Sequence, residues 1–141
     1  MSPGLKSLLS TVGVLACLSV PAGHYALTET GNGFVVDGLR FRARELADRF
    51  LAVRNLDHDF RHSRPGSRPR KAVVERYCQL LDLDTADTHN ARSRRAAYAL
   101  LLGEIHCWWR DETKDRHGDC AKAIDWLSKA RAWAQPDQGY V

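Results

Sequence analysis

Apolar residues recur at the helical period in four stretches of the chain, and no long run alternates between apolar and polar positions. The predicted helices span 39–53, 71–83, 91–109 and 119–134. In the first of them the apolar stripe consists of Leu39, Ala43, Leu46, Phe50 and Val53. The third is apolar around much of its circumference, which predicts a central position in the fold. We therefore expect an all-α protein, a small helical bundle or stacked hairpins of about four helices.

The second and fourth helices have narrower apolar stripes. The predicted inner face of the second consists of Val73, Tyr77, Leu80 and Leu81. The predicted inner face of the fourth consists of Ala123, Ile124, Leu127, Ala130 and Ala134. Thr88 or Asn90 is expected to cap the third helix, because both residue types accept hydrogen bonds from the first turn.

The stretches between these helices are rich in turn-forming residues. Residues 23–38 are interpreted as a flexible lead-in with a short extended piece at 34–36, and Asp37 as the cap of the first helix. Residues 55–70 contain two prolines and a glycine and are predicted to form a polar connector. The expected division of the chain is a signal peptide, the lead-in, a helical domain and a tail, over 1–22, 23–38, 39–135 and 136–141.

The start of the chain has the three parts of a secretory signal peptide. Lys6 supplies positive charge, an uncharged run rich in Leu, Val and Ala follows, and residues 20–22 offer small side chains to a signal peptidase. The uncharged run has about 14 residues, whereas a membrane-spanning helix needs roughly 20. We therefore expect export to the periplasm or secretion, with a buried N-terminal helix as the alternative. A second processing route is lipidation, since Val14–Cys17 resembles a bacterial lipobox and would anchor the chain through Cys17.

Composition narrows the class of protein. The 141 residues are 44% hydrophobic and 27% charged, as expected of one soluble domain and not of a disordered chain. The formal net charge of +4 falls short of the dense basic face typical of nucleic-acid readers, so we expect no nucleic-acid partner. No Gly-x-Ser-x-Gly, His-Glu-x-x-His or phosphate-loop motif occurs in the sequence. We therefore expect a non-catalytic protein without a cofactor or a resident metal.

The last two predicted helices carry a recognisable pattern of small residues. The first holds Ala-Leu-Leu-Leu-Gly over 99–103, and the second holds Ala-Ile-Asp-Trp-Leu-Ser-Lys-Ala over 123–130. Residues 99–134 thereby resemble a single unit of the tetratricopeptide and Sel1-like helical repeats, although no second copy lies upstream. This resemblance covers roughly a quarter of the chain and implies a protein-binding or scaffold role.

Three cysteines follow the predicted signal peptide: Cys78, Cys107 and Cys120. Because Cys107 ends the third predicted helix and Cys120 begins the fourth, the two flank one loop. In an oxidising compartment this placement predicts a Cys107–Cys120 disulfide that stabilises the fold by about 2 to 3 kcal/mol. Cys78 would then be buried, free or available for an intermolecular bond.

The same loop also suggests a metal site. Two imidazoles and two thiols, which zinc accepts in tetrahedral sets, are supplied by His106, Cys107, His117 and Cys120. Neighbouring helical residues point about 100° apart and the spacing fits no standard zinc finger, so we prefer the disulfide with two exposed histidines. A small exported enzyme or metal-binding protein built on this cluster remains the alternative, with Glu104 as a further acid/base candidate.

A histidine pair lies in the predicted connector. His58 and His62 stand four residues apart, and Asp57 and Asp59 flank the first of them. On a helix this spacing would place both imidazoles on one face. The proline-containing context argues against a stable helix there, so we interpret them as solvated loop residues.

All four tryptophans lie in the last third of the chain, where they are either core residues or a binding patch. The predicted partner-binding residues are Trp108, Trp109, Trp126, Trp133, Arg110 and Arg131. A basic stretch of the connector would assist or would itself bind anionic polymer or lipid: Arg61, Arg64, Arg68, Arg70 and Lys71. We expect an exported protein-interaction module, a periplasmic inhibitor, immunity protein or adaptor, whose partner is a protein of the cell envelope.

Overall fold

A computed structural model of the chain describes residues 23–63, 70–108 and 116–134. The helices are α1 (Arg44–His62), α2 (Arg70–Leu83), α3 (His89–Trp108) and α4 (Arg116–Trp133). The strands are β1 (Thr28–Thr30), β2 (Gly33–Val36) and β3 (Leu39–Phe41). The protein is thus mostly helical, as predicted, but the small sheet makes the all-α expectation wrong for the residues before α1.

The sheet is antiparallel with strand order β1-β2-β3. Val36 pairs with Leu39, which leaves Asp37 and Gly38 as the two residues of a tight turn. Their φ angles are +49° and +75°, and positive φ at both central residues is the requirement of a type I′ hairpin. Asp37 is therefore a turn residue and not a helix cap. The extended piece predicted at 34–36 lies in β2, whereas β1 forms where an irregular lead-in was expected.

Helix α1 begins later and ends later than predicted. Leu39 lies in β3, and the helix continues to His62, into the stretch predicted to be a connector. Its buried face extends past Val53 through Arg54, Asp57 and Phe60 at steps of one, three and three residues. The prediction of a loop after residue 53 was wrong because two of these inward-facing residues are charged and do not count toward a hydrophobic stripe.

The other helices match the sequence pattern closely. Val73, Tyr77 and Leu80 are buried in α2, as predicted. Thr88 caps α3, since its Oγ1 accepts a hydrogen bond of 3.2 Å from the backbone N–H of Ala91. The prediction that α3 is central is confirmed by its fully buried residues, Ala91, Ala96, Tyr98, Ala99, Leu102 and Ile105.

The core lies where the sheet meets α1 and α3. The ring of Phe50 on α1 packs 5.4 Å from that of Phe41 on β3 and 5.4 Å from that of Tyr98 on α3. Val36 of β2 is fully buried beside them. The small sheet therefore packs against α1 and α3 and does not form a separate unit.

Helices α3 and α4 run antiparallel and pack closely. A Cβ added to Gly103 would lie 2.7 Å from the side chain of Leu127, so the absence of a side chain permits the close approach. Ala123 and Ala130 are buried, as predicted, but Ile124 is 66% exposed and Leu127 39% exposed. The predicted inner stripe of α4 was wrong at Ile124, because Trp126 and Trp133 turn toward α2 and α3 in its place. Leu127 is partly exposed but contacts Gly103 of α3.

Two buried arginines connect distant parts of the chain. Arg54 donates to Asp57 and to Asp37, both at 2.8 Å, and Tyr77 donates to Asp57 at 3.0 Å. We call the residues around this arginine the Arg54 network: Tyr25, Asp37, Arg54, Asp57, Arg61 and Tyr77. A second buried guanidinium, that of Arg94, forms a bidentate salt bridge with Asp84. This contact joins α3 to the residue that follows α2.

Candidate partner-binding groove

A groove of about 370 Å³ lies where α2, α3 and α4 meet. Its lining residues are Cys78, Leu81, Asp82, Arg95, Trp126, Lys129 and Trp133. We call it the tryptophan groove. It combines large apolar side chains with two cations, a mixture that is common where proteins recognise other proteins.

The two tryptophans reach the groove because they stand seven residues apart on α4 and so share one side of the helix. Both are half-buried, with one part of the ring packed and another part open. Lys129 Nζ lies 4.3 Å from the Trp126 ring centroid, and Arg95 Cζ lies 5.5 Å from that of Trp133. The negative face of each ring attracts its cation, and this attraction keeps both positive charges beside the groove.

The guanidinium of Arg95 has unused hydrogen-bonding capacity. Its Nε is buried, yet among the described residues it has no hydrogen-bond partner. A buried donor without a partner costs about 1 to 3 kcal/mol, and more when the group is charged. The Arg95 side chain also lines the groove, and a carboxylate oxygen is the acceptor best suited to a guanidinium.

The charges of the lining residues and the Cys78 thiol together indicate what kind of occupant the groove would accept. The lining carries two cations, Arg95 and Lys129, and one carboxylate, Asp82. Lys129 also pairs with Asp125 at 2.8 Å, so Arg95 is the cation that favours a negatively charged occupant. Burial raises the pKa of the Cys78 thiol, so near neutral pH it stays protonated and acts as a small apolar group. The groove therefore offers an apolar floor under a positive rim.

A second depression, of about 410 Å³, lies between α1 and α2. Leucines form much of its floor, and Arg49 and Arg76 stand at its rim. These two arginines already bond to Glu45 and Gln79, at 2.7 and 3.2 Å. This depression lacks both tryptophan and an unsatisfied donor, so it is the weaker candidate for a binding site.

Not all the predicted partner-binding residues meet in the tryptophan groove. Trp126 and Trp133 do, Trp108 is the last residue of α3, and Trp109 and Arg110 lie outside the described residues. Arg131 is exposed but stands two positions before Trp133, about 200° away around α4, and does not line the groove. Three groove residues, each from a different helix, were not among the predicted partner-binding residues: Cys78, Arg95 and Lys129.

The basic connector is only partly available as a charged surface. Arg61 donates to Asp57 at 2.7 Å, and Arg70 bonds to Asp119 at 2.6 Å and to His106 at 2.8 Å. These two arginines therefore pair within the protein. Lys71 is 91% exposed, and Arg64 and Arg68 lie outside the described residues.

The predicted disulfide is not formed. Cys107 and Cys120 are free thiols and both side chains are exposed; we call them the exposed cysteines. Their neighbours His106 and Asp119 occupy the positions that face each other across α3 and α4, with 3.3 Å between Nδ1 and Oδ1. A step of one residue turns a helical side chain by about 100°, so the two sulfur atoms point away from this contact.

The same rotation separates the four proposed zinc ligands. His106 is buried and bonded to Arg70 and Asp119, whereas Cys107, His117 and Cys120 are exposed. Burial lowers the pKa of His106, which favours the neutral imidazole beside the Arg70 guanidinium. Glu104, the acid/base candidate, lies 3.6 Å from Arg61 Nη2 and pairs with it.

The histidine pair of the predicted connector lies on helix α1. The rings of His58 and His62 are stacked with 4.1 Å between centroids, so the two imidazoles do share one face. His24, from the segment before β1, meets His58 edge to face at 5.2 Å. The hydrogen bond from His24 lowers the pKa of Asp59, which keeps this exposed carboxylate ionised in mildly acidic solution.

Comparison of the chain with protein-family models, with curated proteins and with solved structures found no significant match. Within 23–63, 70–108 and 116–134, no helix has the length and apolar character needed to cross a bilayer.

Proposed function

We propose that this protein is an exported, non-catalytic interaction module that holds a segment of a partner protein in the tryptophan groove. The observation that carries the proposal is a pair of half-buried tryptophans, each under a cation, next to a buried arginine nitrogen without a partner. Tryptophan and arginine are the residues that most often dominate binding energy at interfaces. The occupant is a segment in which an apolar side chain is followed closely by a carboxylate.

Each part of that segment has a counterpart in the groove. The apolar side chain packs on Leu81 and the open part of the Trp126 ring, and the carboxylate accepts hydrogen bonds from Arg95. Lys129 is already held by Asp125, 2.8 Å away, so it adds positive potential more than a new ion pair. A partner without an acidic group would form no ion pair with the Arg95 guanidinium and would bind less tightly.

The place of action follows from the signal-like pattern over residues 1–22. Export puts the partner in the cell envelope or outside the cell, where an inhibitor, immunity protein or adaptor would meet a toxin or a hydrolase. The processing route is tested by the intact mass of protein isolated from the envelope fraction. A chain that starts at Gly23 supports export of a soluble form, a lipid-modified chain that starts at Cys17 supports a membrane anchor, and an unprocessed chain in the cytosol contradicts export.

Binding in the groove is tested by affinity capture from the native envelope with four forms of the protein. The unmodified protein and Arg131→Glu are expected to recover the same protein at equal yield, whereas Trp126→Ala and Lys129→Glu lose it. Arg131→Glu is the matched control, because it reverses a charge on the exposed side of the same helix. Equal recovery by all four forms, with unchanged far-UV circular dichroism, would exclude the groove as the binding surface.

A further inference from the structure

Two histidines and an aspartate meet on the surface near the C-terminal end of α1. His24 Nε2 lies 2.9 Å from Asp59 Oδ1, and His58 Nδ1 lies 3.5 Å from the same oxygen. The three ligand atoms all lie within 4.8 Å of one another. Residues 24 and 59 are far apart in the sequence, so the group exists only because the first described segment docks onto α1.

That docking is specific and does not depend on the histidines. The backbone N–H of Tyr25 donates to Asn55 Oδ1 at 2.7 Å, and Asn55 Nδ2 donates back to the carbonyl of Tyr25 at 3.3 Å. Arg54 of the buried network also donates to the Tyr25 hydroxyl. Three polar contacts thus fix the residue next to His24 on the turn of helix that precedes His58.

Gly23 sets the orientation of the His58 ring. Its φ is +107°, a value that side-chain-bearing residues rarely adopt, and a Cβ there would overlap His58 Nε2. The Nε2 edge of the ring therefore packs against the glycine backbone, while Nδ1 lies toward Asp59. His58 Nδ1, the imidazole nitrogen nearest the carboxylate, is therefore the nitrogen that can bind a metal ion.

We propose that His24, His58 and Asp59 form a zinc site. Zinc binds imidazole nitrogen and carboxylate oxygen at about 2.0 to 2.2 Å, and tetrahedral geometry then separates neighbouring ligand atoms by about 3.3 Å. The two observed nitrogen–oxygen separations of 2.9 and 3.5 Å lie on either side of this value, and the two nitrogens lie within 4.8 Å of each other. Two nitrogens and one oxygen suit zinc better than magnesium or calcium, which prefer oxygen alone.

His62 can complete the coordination. Its Nδ1 donates to the backbone carbonyl of His58 at 2.8 Å, which leaves Nε2 as the nitrogen with a free lone pair. A ligating histidine commonly holds its second nitrogen in this way. The fourth position is therefore taken by His62 after a ring rotation, or by water.

Bound zinc would tie the segment before the sheet to α1. Any ligand that binds only the folded state stabilises it in proportion to the logarithm of its concentration over its dissociation constant. The site is independent of the tryptophan groove, which lies among α2, α3 and α4. Either proposal can therefore fail without the other.

The test is calorimetric titration of ZnCl₂ into the full chain, prepared without a polyhistidine tag and freed of metal with chelator. The expected result is one zinc per chain, with affinity at least about tenfold weaker in His24→Ala and Asp59→Ala and unchanged in His117→Ala. His117 is a matched control because it is an exposed histidine on α4, away from the group. MgCl₂ is expected to give no binding at the same concentrations.

A second measurement uses only the unmodified protein and so does not depend on how the variants fold. Zinc is expected to protect His24 and His58 from modification by diethylpyrocarbonate, read by peptide mass, and to leave His117 as reactive as before. Equal zinc affinity in the unmodified protein, His24→Ala and Asp59→Ala would overturn the proposal. Absence of saturable zinc binding, or protection of all histidines alike, would overturn it as well.

Discussion

Asp57 is the residue whose replacement tests the account of the fold most severely. Its side chain is fully buried and accepts three hydrogen bonds, from Arg54 at 2.8 Å, Arg61 at 2.7 Å and Tyr77 at 3.0 Å. Asp57→Asn keeps the shape of the side chain and removes its charge. No cavity is created, so the measured change reports the lost charge together with the hydrogen bonds lost where the amide NH2 faces a donor.

The size of the expected destabilisation depends on which hydrogen bonds and ion pairs the partners of Asp57 keep in the variant. Arg54 keeps its bond to Asp37, but that carboxylate is 36% exposed and the buried negative charge at the centre of the Arg54 network is lost. Removing one partner of a buried ion pair costs about 3 to 5 kcal/mol. The free energy of unfolding of a domain this size is about 5 to 15 kcal/mol, so Asp57→Asn is expected to lose a large part of it. The melting temperature would fall by roughly 10 to 20 °C.

The assay is urea unfolding followed by circular dichroism at 222 nm. The control is Glu45→Gln, which removes the same charge from an exposed pair with Arg49 at the start of the same helix. That pair contributes about 0.5 kcal/mol or less. A loss below about 1 kcal/mol in Asp57→Asn, or equal losses in the two variants, would refute the claim that the Arg54 network joins these elements.

Three further predictions concern the helices α2, α3 and α4. Gly103→Ala should destabilise the protein by about 1 kcal/mol, since the clash with Leu127 outweighs the gain in helix propensity. In a Leu127→Ala background the same change should become stabilising, and urea unfolding of the four forms would show whether the sign reverses. Burial lowers the pKa of His106, so in mildly acidic solution this imidazole is protonated in the unfolded chain but not in the folded chain. The free energy of unfolding should therefore fall as the pH drops below about 6.5. His106→Gln should remove that part of the pH dependence, and an unchanged profile would contradict it. Cys78 should react with iodoacetamide more slowly than the exposed cysteines, because it is half-buried and its pKa is raised; equal rates by peptide mass would contradict the packing around it.

The helices were predictable wherever hydrophobic residues alone form the buried face. Tyr77 and Leu80 in α2 and the alanine-rich face of α3 are of this kind. The pattern failed in α1, because the inward positions Arg54 and Asp57 are charged and their burial depends on partners in distant segments. It failed again at Ile124, which is apolar but exposed. A hydrophobic stripe indicates which residues can be buried and does not show which neighbour will cover them.

The sheet was missed although its signal is present in the sequence. Asp37-Gly38 between two short apolar runs is a typical two-residue hairpin turn. The same aspartate is also a good helix cap, and strands of three or four residues are too short for alternation to be counted. Only the pairing of Val36 with Leu39 distinguishes the two interpretations.

The candidate sites were predictable only where their residues lie on one helix. The seven-residue spacing of Trp126 and Trp133 places both on one side of α4, as the sequence indicated. Nothing in the sequence brings Arg95 to them, because that contact depends on how α3 packs against α4. The meeting of His24 with Asp59 likewise depends on the bonds between Tyr25 and Asn55.

Site-specific photo-crosslinking tests the central claim, binding of an acidic partner segment in the tryptophan groove, most directly. A benzophenone amino acid would replace Asp82, which lines the groove, or Ser128, which is exposed on α4 beside Lys129 but outside the groove. In cells, the probe at 82 is expected to crosslink one envelope protein through a segment that contains Asp or Glu, and the crosslink should vanish when Trp126→Ala is added. Crosslinking of equal yield from both positions, or crosslinking at 82 that survives Trp126→Ala, would contradict the account.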